Sequence, residues 1–255
     1  MDNSELLIGM QRTGYATCSV ESAEDFYETM HEVAATTNLK AIPHPRRPNQ
    51  ETSLAPQTRV AMDPHSELGR TPYRCAIVGF LGVQPSQSGG ETILVDTSLG
   101  SPCGDQLAEL LPETLRFRGL ISQAALPDGF DSATSQATAY GKVASVTPRD
   151  GDVLEFEYEI PTVVRSAISP AVLSVATSVV GPYGGAHDAS SGFPISEETI
   201  ERARQIMGVY SVKLRLDAGD VVLIDNCRTL HGRRAYAGDR VIVSALLSQF
   251  GSAFG

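Results

Sequence analysis

The sequence predicts a mostly β protein with a few helices, built around a double-stranded β-helix core (jelly roll, cupin-like) of about eight strands. The chain has 255 residues, 42% of them hydrophobic, which is enough to bury one sizeable core. Short β-rich segments dominate, and only two stretches show helical periodicity. We expect a single domain over residues 1–255, with helical and strand support in 1–54 and the jelly-roll core in 55–250.

Two helices are predicted from caps and periodicity. The first begins near Ser22, a plausible N-cap, and places Phe26, Met30 and Val33 on one face. The second lies in SEETIERARQIMG, where Ser196 is the expected cap and two glutamates follow it in the first turn. Gly208 is expected to end this helix.

The predicted strands are separated by Gly, Pro, Asp and Ser. In chain order they are CAIVGFLGV, ETILVD, LRFRGLIS, DVLEFEYEI, AVLSVATSVV, VYSVKLRL, DVVLID and DRVIVSALLS. Eight strands suit two sheets packed face to face, which limits exposed strand edges. The long connections 124–142 and 181–195 are predicted to be lid loops, because loops of that length in a compact domain are often functional.

Composition narrows the class of partner. The net charge of −10 argues against nucleic acid, which needs a basic face, so a small-molecule partner is expected. No apolar run is long enough to span a membrane, and MDNSELLIG has no basic flank typical of a signal peptide, so a cytoplasmic location is expected. The four cysteines are far apart and contain no CxxC pair, which indicates reduced, mostly buried thiols.

The stretch DPHSELGR places a histidine and a glutamate two positions apart. In an extended segment, residues i and i+2 point the same way, so His65 and Glu67 could reach one metal ion while Ser66 points elsewhere. Alone, this pair is better explained as a polar surface pair next to Pro64, since short polar pairs are common before strands.

The stretch LDAGDVVLIDNCRTLHGRRAYAGDRVIV supplies a third candidate ligand, His231, expected on the turn after DVVLID. In a jelly roll the first and last core strands lie close together, so His231 can reach His65. Two histidines and one carboxylate form the facial triad of non-haem Fe(II) oxygenases, with positions open for a chelating 2-oxoglutarate and O₂. The far carboxylate of 2-oxoglutarate needs a cation of fixed geometry, and Arg240 is the candidate.

These motifs resemble the taurine dioxygenase family of Fe(II)/2-oxoglutarate-dependent oxygenases, in the branch that includes clavaminate synthase and amino-acid β-hydroxylases of natural-product pathways. The matching pieces are PHSE, TPYRCAIVGFLGVQPSQSGGETILVD, LRFRGL, SGFPISEETIERA and GDVVLIDNCRTLHGRRAYAGDR, which together span about residues 55–250. The resemblance implies that His65, Glu67 and His231 bind iron, that Arg240 holds 2-oxoglutarate, and that the Thr92 hydroxyl assists. Many relatives carry a second arginine four residues after the first, whereas this chain has Ser244 there.

Other polar residues near these motifs have weaker assignments. Asp225 and Asn226 are expected to cap the turn that carries His231, and they are compatible with orienting its ring. Arg233 is either a solvated surface charge or a contact to a substrate carboxylate, and His187 is a candidate substrate contact in the second lid. His31 and His44 are expected to be exposed.

The leading hypothesis is an oxygenase that hydroxylates an unactivated C–H bond of a small molecule, an amino acid or a derivative, free or tethered to a carrier protein. Desaturation, epoxidation and cyclisation are alternatives within the family. Because relatives that halogenate replace the metal carboxylate with a small residue, Glu67 argues against halogenation. Two other classes stay open: a catalytically silent jelly-roll protein that binds a ligand, and a zinc hydrolase using the same three side chains.

Overall fold

The computed structural model describes residues 3–42, 59–122, 126, 137–175 and 185–250. His44, most of the predicted lid 124–142 and the first residues of the predicted lid 181–195 lie outside these ranges. The described helices are α1 (Asn3–Thr13), α2 (Ala23–Thr37), α3 (Pro102–Leu110) and α4 (Glu197–Val209).

Strands make up most of the regular structure. They are β1 (Tyr15–Ser19), β2 (Lys40–Ile42), β3 (Met62–His65), β4 (Ile77–Gln84), β5 (Ser88–Gly89), β6 (Thr92–Asp96), β7 (Thr114–Ser122), β8 (Ala137–Thr138), β9 (Gly141–Pro148), β10 (Val153–Pro161), β11 (Val163–Arg165), β12 (Leu173–Val175), β13 (His187–Asp188), β14 (Val212–Leu214), β15 (Asp220–Asp225), β16 (Thr229–Arg233), β17 (Tyr236–Ala237) and β18 (Val241–Ser248).

Two antiparallel sheets form the jelly-roll core, as predicted. The larger sheet has the order β1-β15-β4-β18-β2 and the smaller one β14-β6-β16-β3. Val78, Val222 and Leu246 from the larger sheet pack against Leu94 from the smaller one, and all four side chains are buried. This apolar layer holds the two sheets face to face, because burying it removes a large apolar area from water.

A third sheet, β13-β7-β10-β9-β8, lies beside the core. Its inward residues, such as Phe117 and Phe156, share one buried cluster with Leu230 of β16 and Met207 of α4. The other face of this sheet carries cross-strand ion pairs, for example Arg116 with Glu159 at 2.7 Å. The alternation of apolar and charged residues along β7 and β10 therefore separates a packed face from a solvated one.

The N-terminal segment is part of the core sheet. β1 pairs with β15 and β2 pairs with β18, so both are edge strands of the larger sheet. α2 covers the outer face of this sheet with Phe26 and Met30, which are fully buried. Gly79 of β4 is needed there, because a Cβ at this position would lie 2.6 Å from the Met30 sulfur.

Both predicted helix starts are confirmed. The Ser22 hydroxyl accepts a hydrogen bond from the Asp25 amide, and the Ser196 hydroxyl accepts one from the Thr199 amide. The second helix ends at Val209 rather than at Gly208, so VYSVKLRL forms a strand only over Val212–Leu214. The expected thiols are also found, since all four cysteines are free and three of them are buried.

Helices α1 and α3 were not predicted from the sequence. Both are short and contain an internal glycine, which weakens the local helical signal. They are stabilised by packing, because Met10 of α1 and Leu107 of α3 are almost completely buried. In the described ranges, no helix is long and apolar enough to cross a bilayer.

Candidate metal centre

His65 is the last residue of β3, and it lies directly opposite His231 in the pairing of β3 with β16. Its Nδ1 is 3.0 Å from the Asp63 carbonyl oxygen. Since a carbonyl can only accept, Nδ1 carries a proton, and in the neutral imidazole Nε2 then keeps its lone pair. This contact fixes the ring so that Nε2 faces the other candidate ligands.

His231 lies in the middle of β16, not on a turn as the sequence suggested. The turn after β15 is shorter than expected and strand pairing resumes at Thr229. The imidazole is 3% exposed, and the Phe80 ring from the facing sheet packs against it at 5.3 Å between centroids. Burial lowers the pKa of His231, with the nearby His65 acting in the same direction, and keeps the ring neutral.

Glu67 follows β3 in a turn and brings a carboxylate to both histidines. Its Oε2 lies 3.8 Å from His65 Nε2 and 3.9 Å from His231 Nε2. Burial acts to raise the pKa of Glu67, but the two imidazoles close to its carboxylate outweigh burial and lower the pKa. The group is therefore a carboxylate at neutral pH.

The three side chains form a donor set that fits a metal ion. Their ligand atoms all lie within 4.8 Å of one another. Two donors each about 2.1 Å from one ion can be at most about 4.2 Å apart, so only a small contraction is needed. Within the described part of the chain, both buried ring nitrogens of His231 lack a hydrogen-bond partner, which an ion at Nε2 would remedy. Two imidazoles and one carboxylate are the donor set of non-haem Fe(II) sites.

The turn of residues 66–69 holds Glu67 in place. Gly69 donates its amide to the Ser66 carbonyl, and Leu68 has a φ of +54°, in the left-handed region. The Ser66 hydroxyl points away from the donor set, as predicted, and donates to the Asn226 carbonyl at 2.9 Å. Since β3 ends at His65, only the first of the two candidate ligands in this stretch lies on a strand.

Asp225 and Asn226 have different neighbours. One Asp225 oxygen accepts the Cys227 amide and so caps the turn into β16, as expected, while the other accepts the Ser166 hydroxyl at 2.5 Å. Burial raises the pKa of Asp225 to about 6. The Asn226 side chain accepts the Glu67 amide and donates to the Glu67 and Cys75 carbonyls. Its contacts are thus with the Glu67 segment rather than with the His231 ring.

Thr92 and Arg233 face the same side of the smaller sheet as His231. In the pairing of β16 with β6, Arg233 lies opposite Thr92 and His231 opposite Leu94, and alternate residues of a strand share a face. Thr92 is buried, whereas Arg233 is partly exposed and donates to the Val60 carbonyl. The register therefore directs both side chains toward the side of the sheet that carries the donor set.

Arg240 lies immediately before β18 rather than within it. Its guanidinium carbon is 5.9 Å from the Tyr236 ring centroid, and that of Arg233 is 4.9 Å from the same ring. Burial, followed by the charge of Arg233, lowers the pKa of Arg240 to about 10, so it remains a cation at neutral pH. No ion pair or hydrogen bond to Arg240 occurs among the described residues. Ser244 lies opposite Phe80, on the inward face of β18.

The other candidate histidines are not brought to this centre. His187 lies in β13, opposite Arg116 at the edge of the third sheet, and its Nδ1 is 3.1 Å from the Gly185 carbonyl oxygen. Its substrate role therefore stays a prediction. His31 is exposed on α2, as expected.

Sequence reasoning missed several residues that shape the centre, namely Asp63, Phe80 and Tyr236. Asp63 acts through its backbone carbonyl, which no sequence pattern reports. Phe80 reaches His231 from the facing sheet. Tyr236 lies between Arg233 and Arg240 in sequence, and this spacing is the one signal that could have pointed to it.

Comparison with known proteins supports this architecture. The sequence profile of the taurine catabolism dioxygenase TauD, TfdA family matches residues 13–246. No curated protein sequence matches significantly. Among solved structures, AAD-2 in complex with Mn(II) and N-oxalylglycine superposes with a TM-score of 0.55 at 15% identity, covering 97% of this chain and 87% of that one.

Two further structures share the fold. An asparagine oxygenase in complex with Fe(II), 3-hydroxyasparagine and succinate gives a TM-score of 0.52 at 14% identity, covering 97% of this chain and 79% of that one. PvcB, an Fe, α-ketoglutarate-dependent oxygenase from an isonitrile synthetic pathway, gives 0.53 at 13% identity, covering 97% and 80%. With most of its length matched by the family profile, the chain belongs to the TauD, TfdA dioxygenase family and is an oxygenase that uses Fe(II), 2-oxoglutarate and O₂.

Proposed function

We propose that this oxygenase hydroxylates an unactivated C–H bond of a small molecule, an amino acid or a compound derived from one, and that His65, Glu67 and His231 hold its iron. The observation that carries the proposal is the convergence of three donor atoms within 4.8 Å, from two strands 166 residues apart and one turn. Bound Fe(II) would couple the oxidative decarboxylation of 2-oxoglutarate by O₂ to oxidation of the C–H bond.

The protein residues have distinct tasks in this proposal. His65 and His231 supply imidazole nitrogen donors, and the Glu67 carboxylate supplies one negative charge that partly neutralises the ion. Phe80 covers the buried ring of His231 with an apolar surface, which keeps water from that side of the donor set.

The 2-oxoglutarate anchor is assigned to Arg240 with Thr92. Arg240 is a partly buried cation without a carboxylate partner in the described residues, so its hydrogen-bonding capacity remains for a ligand. Thr92 is buried on the face that carries His231, where its hydroxyl is available to the same ligand. Arg233, beside Tyr236, is proposed to contact an anionic group of the substrate.

Support for an amino-acid substrate comes from the asparagine oxygenase, whose structure contains a hydroxylated asparagine. An intact Glu67 supports hydroxylation over halogenation, since it occupies the position that halogenation requires to be open. Carrier-tethered substrates are tested alongside free amino acids. Desaturation, epoxidation and cyclisation are tested as alternative outcomes of the reaction.

The decisive experiment has two stages. Purified protein is first mixed anaerobically with Fe(II) and 2-oxoglutarate, and we expect the weak visible charge-transfer band of the chelate. Folded protein that gives no band would contradict the assigned iron and 2-oxoglutarate sites. A zinc hydrolase would instead act without O₂ and would ignore 2-oxoglutarate.

The second stage identifies the reaction. Consumption of 2-oxoglutarate is screened over amino acids, their derivatives and carrier-bound forms, and product masses are measured. Hydroxylation adds one oxygen atom, whereas desaturation removes two hydrogen atoms. A product that has lost two hydrogen atoms and gained no oxygen would show that the enzyme desaturates its substrate instead of hydroxylating it.

A further inference from the structure

We propose that Asn226 is a positioning residue for Glu67: its side-chain amide fixes the backbone that carries the candidate metal carboxylate. The inference rests on the proposed function in one respect, that Glu67 binds the metal. From the sequence, Asn226 was expected to be compatible with orienting His231. The hydrogen bonds of its side chain instead point to Glu67 as the ligand that it positions.

The Asn226 amide makes three short hydrogen bonds. Its Oδ1 accepts the Glu67 amide at 2.8 Å, and its Nδ2 donates to the carbonyls of Glu67 at 2.8 Å and Cys75 at 2.7 Å. Because an amide N–H can only donate and a carbonyl can only accept, one orientation of the Asn226 side chain satisfies all three contacts. The pair of bonds to Glu67 reproduces what a neighbouring strand gives an antiparallel partner.

Glu67 needs such a partner because it lies beyond the end of β3. The next residue, Leu68, has a φ of +54°, a conformation that is unfavourable for a side chain with a Cβ. The turn itself supplies only local bonds, such as Gly69 amide to Ser66 carbonyl. A strained turn of this kind persists when its surroundings determine the backbone, and the Asn226 amide is the surrounding group that bonds both polar backbone atoms of Glu67.

Asn226 is itself rigidly held. It is completely buried, its own amide donates to the Ala76 carbonyl at 3.0 Å, and its carbonyl accepts the Ser66 hydroxyl. It connects β15 to β16, the strand of His231. The same short segment therefore sets the position of Glu67 through a side chain and that of His231 through the strand, which ties both ligands to one frame.

The test uses Co(II) as a spectroscopic probe, added to the metal-free 255-residue chain. Wild type, Asn226→Ala, Asn226→Asp and the control Thr97→Val are titrated, and the Co(II) absorption bands and the thermal midpoint of the metal-free form are recorded. Thr97 is a matched control because its buried hydroxyl donates to the Arg228 carbonyl, on the other side of the same turn, without contacting Glu67.

We expect Asn226→Ala to weaken Co(II) affinity about 10- to 100-fold and to change the absorption bands, since residues that orient a ligand have effects of that size. Asn226→Asp keeps the acceptor for the Glu67 amide but replaces both donations by an oxygen that faces two carbonyl oxygens, so a loss at least as large as that of Asn226→Ala is expected. If Asn226→Ala does not fold, the inference is tested by comparing Co(II) binding by Asn226→Asp with that by Thr97→Val. Thr97→Val should bind Co(II) like wild type even where its thermal midpoint falls.

An Asn226 variant that is less stable but binds Co(II) with wild-type affinity and unchanged bands would overturn the inference and leave the metal site standing. Failure of wild-type protein to bind Co(II) at all would overturn the metal assignment itself, and this inference with it. The two failures are distinguished by the wild-type titration.

Discussion

His231 and Glu67 are supported in contrasting ways although they face the same proposed ion site. His231 lies on β16, which is paired on both sides, with β3 and with β6. Glu67 lies on a turn containing a left-handed leucine and depends on a side-chain amide for its partner. The difference indicates that one ligand is fixed by the fold and the other by a local network, so perturbations of the two supports should separate stability from metal binding.

The largest expected effect follows removal of the strand-held ligand. His231→Ala should abolish Fe(II)-dependent turnover and leave the fold intact, because β16 is held by backbone pairing and the variant removes two buried nitrogens that lack partners. The measurement is 2-oxoglutarate consumption together with circular dichroism. His31→Ala, an exposed histidine on α2, is the control expected to retain activity. Full activity in His231→Ala would show that His231 of β16 does not bind the metal.

The second-largest effect is expected at Arg240, the proposed 2-oxoglutarate anchor, which follows β16 in the chain. Arg240→Ala removes a charge-assisted contact of about 1.5–3 kcal/mol, so the KM for 2-oxoglutarate should rise roughly 10- to 100-fold. Arg240→Lys should lie between wild type and Arg240→Ala, because a lysine keeps the charge without the fork. Arg202→Ala, on the exposed side of α4, is the control. An unchanged 2-oxoglutarate requirement in Arg240→Ala would show that the cosubstrate assignment is wrong.

Gly232 of β16 offers a direct test of the pairing between β3 and β16, which supports His231. In Gly232→Ala, the new Cβ would lie 2.5 Å from the Met62 carbonyl oxygen and 2.9 Å from the Pro64 nitrogen, forcing β3 and β16 apart. We expect a loss of about 1–3 kcal/mol in the free energy of unfolding, together with weaker metal binding. Gly208→Ala in α4 meets no atom within 4 Å and should instead stabilise the protein slightly. Denaturant titration measures both, and equal behaviour of the two variants would refute strand separation.

The smallest expected effect is a pH dependence of stability that comes from Asp225, at the turn between β15 and β16. The pKa of Asp225 is about 6 in the folded protein, above its ordinary value, so the folded state binds this proton more tightly than the unfolded state. Its contribution to stability is therefore greatest at low pH and declines as the pH rises toward and through 6.

Asp225→Asn removes this titration and should also be destabilising, since one of the two oxygens that accept the Ser166 hydroxyl and the Cys227 amide becomes an NH₂ donor. The destabilisation by Asp225→Asn should be roughly 1–2 kcal/mol larger at pH 4.5 than at pH 7.5. Denaturant unfolding of metal-free protein at both pH values measures the difference. A difference of opposite sign would show that Asp225 is not held in an unfavourable environment for its charge.

Local patterns predicted much of this molecule. The caps Ser22 and Ser196, the strands DVVLID and DRVIVSALLS and the jelly-roll class follow from periodicity and turn residues, which act over a few neighbouring positions. The donor set is a prediction from residue type and motif order, and the structure places its three side chains close together. Helices α1 and α3 were missed because packing, not propensity, stabilises them.

By itself, the sequence determined that two imidazoles and a carboxylate are present in motifs typical of an Fe(II) site, and that alternating strands would form two packed sheets. Only the tertiary structure decided which groups hold those ligands. The register of β3 against β16 places His65 opposite His231, and the Asn226 amide reaches Glu67 across 159 positions of chain. Such contacts depend on strand pairing between distant segments, and no local pattern in the sequence specifies that pairing.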